Sequence, residues 1–389
     1  MTYAGQRVCC DADSHIMETF EFVSEYADPE LRPLLLPLNM EKMGHLAKDA
    51  VELIESVRRN TGKARPAPES IIDGQKGWAA YGAFDREERS LVLDDFGFRC
   101  QLVFPTLAGT QFMHGRSGEI FTDPKLRYGG ARAFNRAMAE FCSQDKRLLG
   151  VAIVPLDDPE LARQEIILAA RAGLRAIQVP ASPGGERSPG HSDFDVVWKT
   201  MCDQGQSFML HIGLGVRDLN PAYNNTGQPN VADWLGGGEN IRIQDYMALS
   251  FPAQKWLSAM LFHGVFNRFP DLRGGVIEFG AGWVPDFLRR LDLGQRMFHK
   301  SDPGVAALKK PGSEIMKQHV KFTPVPGEDV GLMIREAGDD AFMFSTDYPH
   351  VEGGKNPIKR FEDTMGDVAE AARERFYSKN FEHMMNMTI

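Results

Sequence analysis

Cysteine is scarce: the chain of 389 residues has five, Cys9, Cys10, Cys100, Cys142 and Cys202. Their number is odd and no two have the Cys-x-x-Cys spacing. That argues against a disulfide framework or a zinc ribbon and makes a reducing cytoplasm the expected compartment. Long hydrophobic runs are missing too. None reaches the ~18 residues a membrane-spanning helix needs. The N-terminal Met1-Thr2-Tyr3-Ala4-Gly5-Gln6-Arg7 lacks the basic-then-apolar order of a signal peptide. An excess of positive charge is absent: 44 Lys and Arg face 53 Asp and Glu, for a net charge of −9. That balance speaks against nucleic acid and anionic membrane as partners. Several catalytic motifs are also absent, namely the Gly-x-Ser-x-Gly elbow, the His-Glu-x-x-His helix and the phosphate loop. Gly280-Ala281-Gly282 lacks the third glycine and the spacing of a dinucleotide fingerprint. No internal repeat is visible.

Short apolar runs rich in β-branched residues are present, each followed by an amphipathic stretch. Leu148–Pro155 is a strand-length apolar run. Pro159 to Ala172 then reads as a helix, with Leu161, Ile166, Ile167, Ala169 and Ala170 on one face and Gly173 at its end. Further expected strands are Gln6–Asp13, Cys100–Pro105, Arg175–Pro180, Ser207–Ile212, Gly275–Glu278, Val320–Pro324 and Phe342–Ser345. Strand–helix–strand at this spacing implies a parallel sheet buried on both faces. Eight such units predict an α/β fold of the (β/α)8 TIM-barrel type. A doubly wound open sheet is the rival that periodicity leaves open.

Two segments exceed a minimal barrel. Residues 16–95 separate the first two strands and contain helical patterns near Glu41–Arg59 and Asp85–Asp95. Residues 215–245 are rich in Asn, Gly and Gln. Both follow a strand and so emerge at the C-terminal face, where barrel enzymes place substrate loops. The first is expected to be a helical cap and the second a substrate loop. Arg58, Arg59, Lys63 and Arg65 in the first are either an anchor for an anionic substrate or a solvated basic face.

Chemistry concentrates at predicted strand ends. In Asp11-Ala12-Asp13-Ser14-His15, residues two apart share a face, so Asp13 and His15 point into the barrel mouth with Asp11 one step deeper. His211 ends the run Phe208-Met209-Leu210, and Asp347 follows Phe342-Met343-Phe344-Ser345-Thr346. Strand ends of a small barrel converge on one mouth. Asp13, His15, His211 and Asp347 would then offer two nitrogens and two carboxylates to one divalent ion. That mixed set suits Zn²⁺, alternatively Mn²⁺ or Fe²⁺, better than Ca²⁺.

With these residues in view, the chain resembles the amidohydrolase-related family that includes aminocarboxymuconate-semialdehyde decarboxylase. The resemblance runs over nearly the whole chain. It is carried by Asp11–His15, by Phe134-Asn135-Arg136 through Leu156, and by Leu210-His211-Ile212-Gly213. Gly264–Leu272, Ile277–Pro285 and Phe344–His350 follow in order. It implies a barrel with one metal ion, and a homodimer. Asp13 and His15 fill the places of the family's first-strand pair, usually His-x-His, or Glu-x-His in some decarboxylases. His211 matches the fifth-strand ligand. Asp347 matches the eighth-strand aspartate, often both ligand and proton shuttle. Glu278 is the nearest equivalent of a proton-transferring histidine on the sixth strand.

Glu278 is therefore a general acid/base candidate, against a salt bridge with Arg289 or Arg290. His350 either bonds Asp347 and assists proton transfer or caps the loop. Asp11 is expected to be structural, His263 to be packed on a helix, and Cys9 and Cys10 to fill core space. Cys202 has no partner pattern for a nucleophile. The leading expectation is a metal-dependent hydrolase acting on a small carboxylated or cyclic substrate through a metal-activated water. The alternative is a non-oxidative decarboxylase of an aromatic or unsaturated acid. A third is a non-catalytic metal- or ligand-binding relative.

Overall fold

A computed structural model describes residues 2–19, 21–35, 66–113, 123–213, 219–228 and 243–388. The Glu41–Arg59 pattern, the four basic residues Arg58, Arg59, Lys63 and Arg65, and most of the 215–245 loop lie outside these residues.

The strands are β1 (Cys10–Asp11), β2 (His15–Ile16), β3 (Cys100–Pro105), β4 (Leu148–Ile153), β5 (Ala176–Gln178), β6 (Ser207–His211), β7 (Gly274–Ile277) and β8 (Val320–Phe322). All pair in parallel, in the order β1-β3-β4-β5-β6-β7-β8, with β2 also on β3. The ring is closed by Ala341–Tyr348. Met343 N donates to Phe322 O at 2.9 Å on the β8 side, and Ala12 N donates to Phe344 O at 3.0 Å on the β1 side. The expected last strand is thus present in position, but only as backbone bonds and a single bridge between Phe322 and Phe342. The expected first strand is broken after Asp11, so β1 and β2 are two short pieces of one wall.

Helices cover the outside. They include α1 (Arg86–Phe96), α2 (Pro124–Cys142), α3 (Pro159–Arg171), α4 (Asp195–Gln204), α5 (Phe251–Phe262), α6 (Val284–Phe298), α7 (Val330–Ala337) and, at the C-terminus, α8 (Asn380–Met385). Their starts follow from local chemistry. Asp85 accepts from Glu87 N and Glu88 N at the head of α1, and Asp158 accepts from Glu160 N and Leu161 N at the head of α3. Each bond satisfies an amide the helix cannot reach. Gly97, at φ 71, and Gly205, at φ 63, end α1 and α4 in the left-handed conformation.

Alternation along the strands sorts side chains into two cores. Val103, Ala152, Ile177, Phe208, Leu210 and Val276 face the helices. Cys10, Leu102, Val151, Ala176, Met209, Ile277 and Met343 fill the barrel. From the N-terminal end α8 inserts Phe381, Met384 and Met385 into that interior. Ser207 Oγ donates to Met384 O at 2.6 Å. The floor is closed and apolar, which leaves the C-terminal end as the open face. Cys9 and Cys10 both fill core space, one outside the wall and one inside.

Candidate metal centre

The polar residues of the interior gather at the C-terminal ends of the strands. His15 starts β2, His211 ends β6, Glu278 follows β7, and Asp13 and Asp347 lie on the two backbone segments that close the ring. Asp347 N donates to Asp13 O at 2.8 Å, and His15 N donates to Tyr348 O at 2.7 Å, so the two segments are tied where they carry these side chains.

Asp13, His15, His211 and Glu278 each direct one ligand atom into a space where all four atoms lie within 4.8 Å of one another. His15 Nε2 and His211 Nε2 are each 3.3 Å from Asp13 Oδ1. Glu278 Oε2 is 3.4 Å from His211 Nε2. On the other side His15 Nε2 is 3.5 Å from Asp347 Oδ1, and His350 Nδ1 is 3.1 Å from the same oxygen. Asp347 therefore stands with His15 and His350 in a second, overlapping group rather than in the first.

The tautomers follow from the outer contacts. His15 Nδ1 lies 3.0 Å from Pro105 O, and His211 Nδ1 lies 2.7 Å from Ile212 O. A carbonyl can only accept, so each Nδ1 carries the hydrogen and each Nε2 presents a lone pair to the centre. Burial, reinforced by His350 and His211, pushes the His15 imidazole well below its ordinary pKa, which keeps it neutral. His15 Nε2 and Asp347 Oδ1 are buried without a hydrogen-bond partner. Lone pairs thus face lone pairs across a buried space. A divalent cation resolves that arrangement, and nitrogen–carboxylate sets of this kind fit Mn²⁺, Fe²⁺ or Zn²⁺. The residues present fit such an ion.

Backbone strain accompanies the site. Glu278, at φ 65, and Asp347, at φ 53, are left-handed without being glycine. Such conformations cost about 1–3 kcal/mol and persist where surroundings over-determine them. Here Thr323 Oγ1 accepts from Glu278 N at 2.9 Å, and Asp13 O accepts from Asp347 N. The salt bridge considered for Glu278 is not formed. Arg289 pairs with Glu336 and Asp286, Arg290 bonds Gln254, and Glu278 turns to His211.

Asp11 does not point into the mouth. The chain bends after β1, which breaks the strand parity. Its carboxylate accepts from Gln101 Nε2 at 2.7 Å, Thr346 N at 2.8 Å and Thr346 Oγ1 at 2.6 Å, joining β1 to both neighbouring segments. Burial raises its pKa to about 7 against these bonds. Gln101 in turn accepts from Arg89 Nε at 3.1 Å, and Arg89 also donates to Ser14 Oγ and His15 O. His350 stacks on His15 with centroids 3.9 Å apart, and its Nε2 is 2.9 Å from Thr106 Oγ1. His263 is a correction: it is exposed at the end of α5, with Nδ1 3.0 Å from Ser188 Oγ. Arg89, Gln101, Thr106 and Thr346 were not singled out in the sequence. Thr346 lies in the run Phe344–His350 beside Asp347, but Arg89, Gln101 and Thr106 belong to no motif, and only the fold brings them under the site. The Gly280–Gly282 loop holds a carboxylate of the chain itself, with Ala281 N and Gly282 N donating to Glu328.

Comparison with known proteins follows the same direction. The solved structures of similar fold include an amidohydrolase from Mycobacterium avium subsp. paratuberculosis K-10, with TM-score 0.74 and 18% identity over 98% of this chain and 99% of that one. They also include 5-carboxyvanillate decarboxylase from Sphingomonas paucimobilis, with TM-score 0.62 and 19% identity over 98% and 100%. A third is a dihydroxybenzoic acid decarboxylase from Polaromonas sp. JS666 with bound manganese and the inhibitor 2-nitroresorcinol. Its TM-score is 0.60, with 16% identity over 98% and 97%. No curated protein matches the chain. The amidohydrolase family model matches residues 10–382, and with the parallel barrel and the buried donor cluster at its mouth the chain belongs to the amidohydrolase family.

Proposed function

We propose that the chain is a metal-dependent carboxy-lyase that removes carbon dioxide from a hydroxylated aromatic acid without oxidation. The observation that carries it is a donor cluster of two carboxylates and two imidazoles, Asp13, Glu278, His15 and His211, with a separate buried acid, Asp347, set against His350. Decarboxylation consumes one proton at carbon and no water, and Asp347 is the group positioned to deliver it. Decarboxylases among the structures of similar fold support the same order, which reverses the lead that hydrolysis held from the sequence.

Asp13, His15 and His211 would hold the ion, with Glu278 and Asp347 flanking it. The cluster's two carboxylates and two imidazoles fit manganese or zinc, and the manganese bound in a decarboxylase of similar fold supports manganese. When bound, the ion would supply positive charge for the substrate carboxylate and an adjacent hydroxyl. Asp347 then passes its proton to the ring carbon bearing the carboxylate. The carbon–carboxylate bond breaks, its electron pair returns to the ring, and carbon dioxide leaves. His350 Nδ1, beside Asp347 Oδ1, returns a proton to the aspartate. Segments 16–95 and 215–245, which leave the barrel at this face, contribute to substrate recognition.

Hydrolysis is the second reading. It is favoured by the higher TM-score of the Mycobacterium amidohydrolase, and the same Asp347 would serve as base towards water. Manganese-loaded protein on a panel of hydroxybenzoates in deuterated buffer separates the two. One carbon dioxide per acid, with deuterium at the vacated carbon, supports decarboxylation. Turnover confined to esters, lactones or amides overturns it in favour of hydrolysis.

A further inference from the structure

Gln178 ends β5, and its side-chain direction follows from the strand. Ala176, two residues earlier, packs inside the barrel beside Met209 and Ile277. Gln178 therefore points inward as well, one layer nearer the open face. It is paired in register with Met209 on β6, two residues before His211.

The amide reaches across to the neighbouring wall. A Cβ placed on Gly109 would lie 3.5 Å from Gln178 Nε2 and 3.2 Å from Pro105 Cγ. Pro105 supplies the carbonyl that fixes His15. The Gln178 side chain thus runs from the strand beside His211 towards Gly109, four residues past Pro105.

Gln178 is 5% exposed, yet its Oε1 has no hydrogen-bond partner among the described residues. Burying an acceptor without a donor is unfavourable, and a leucine or methionine would fill the same space without that cost. Gln206 also has an unpaired Oε1, but its Nε2 is tied to Leu174 O and Ile166 O, which explains its presence structurally. For Gln178 the structure offers no such tie to its oxygen. A donor arriving with the substrate completes it.

We infer that Gln178 is a substrate-positioning residue whose amide oxygen accepts a hydrogen bond from a ring hydroxyl of the bound acid. It selects substrates with a hydroxyl beyond the one that accompanies the carboxylate at the ion. The inference rests on the function proposed above and narrows its substrate to dihydroxylated aromatic acids.

The test is calorimetric binding of 2,6-dihydroxybenzoate and 2-hydroxybenzoate to manganese-loaded wild type and Gln178→Met. The second acid lacks one hydroxyl only. Wild type is expected to bind the dihydroxylated acid about tenfold to a hundredfold more tightly. In Gln178→Met that preference falls to within about twofold, with metal content kept and the thermal midpoint unchanged or raised. A merely structural role would lower the midpoint and leave the preference intact. Gln178→Leu serves in the same way if the methionine variant does not fold. A preference that survives the substitution overturns the inference, as does a wild type that binds both acids equally. In both cases the proposed function stands. A wild type that binds neither acid removes the proposed function and this inference together.

Discussion

The barrel interior has two ends that differ in kind. At the floor, Cys10, Cys100, Met209 and Met343 meet Phe381 and Met384 of α8, all buried and apolar. At the mouth, six ionisable side chains form two overlapping groups that share His15, and two buried acceptors among them lack partners. The left-handed backbones of Glu278 and Asp347 lie at the mouth as well. One end stores stability and the other gives some of it up. The donors sit on a closed sheet with a packed floor, so the strained end is held without being well satisfied itself.

The largest expected effect comes from breaking the mouth alone. His211→Ala or Asp13→Ala should reduce bound metal from about one ion per chain to a small fraction. Activity should fall on the order of a thousandfold or more, while the metal-free protein melts no lower than wild type. Elemental analysis and thermal unfolding check the two halves together. Loss of stability with metal retained would contradict the division. The reciprocal change is Met384→Ala in the floor, expected to cost about 2–5 kcal/mol in urea unfolding, with metal content unchanged.

A third prediction concerns Glu18, buried beside the mouth. Its carboxylate accepts from the amides of Thr106, Leu107 and Ala108 at the start of the short helix Ala108–Met113. Burial outweighs these bonds and raises its pKa from 4.5 to about 7. Between those values the folded state holds more protons than the unfolded one. Stability is therefore highest below the lower value and falls as pH rises through the upper one. Glu18→Gln should flatten that slope by about 2 kcal/mol between the ends of the window, read from urea unfolding at several pH values. A slope identical to wild type would show that Glu18 does not titrate there.

The smallest effect sharpens the link between strain and function. Glu278→Gly removes the cost of a left-handed glutamate, offset by the freedom glycine gains on unfolding. The metal-free protein should gain roughly 1 kcal/mol or less, while metal affinity drops. Titration calorimetry with manganese measures the second half. An unchanged affinity would take Glu278 away from the ion.

The strand ends were legible because periodicity and residue type coincide there. An apolar run of strand length that stops at His211 or Asp347 marks a barrel rim whatever the rest of the chain does. Asp11 was misdirected for the opposite reason. Strand parity holds only while the strand is regular, and the bend between β1 and β2 turns Asp11 to Gln101 and Thr346. Glu278 lay one residue beyond β7, where a left-handed turn, not an alternation rule, sets its direction. The cap expected over 16–95 has part of its length outside the described residues. Among the pieces that are described, α1 buries Val92, Leu93 and Phe96 and sends Arg89 to the wall under the site.

By itself the sequence determined the alternation of strands and helices and the kinds of donor at the strand ends, and its resemblance pointed to the family. The first two are local matters of spacing, apolar runs and residue chemistry. Only the tertiary structure decided that Asp13 and Glu278 both face His211, and that Gln178 is buried with its oxygen unpaired among the described residues. These depend on distances between residues far apart in the sequence. Closure of the ring and packing of its floor set such distances, and no local pattern encodes them.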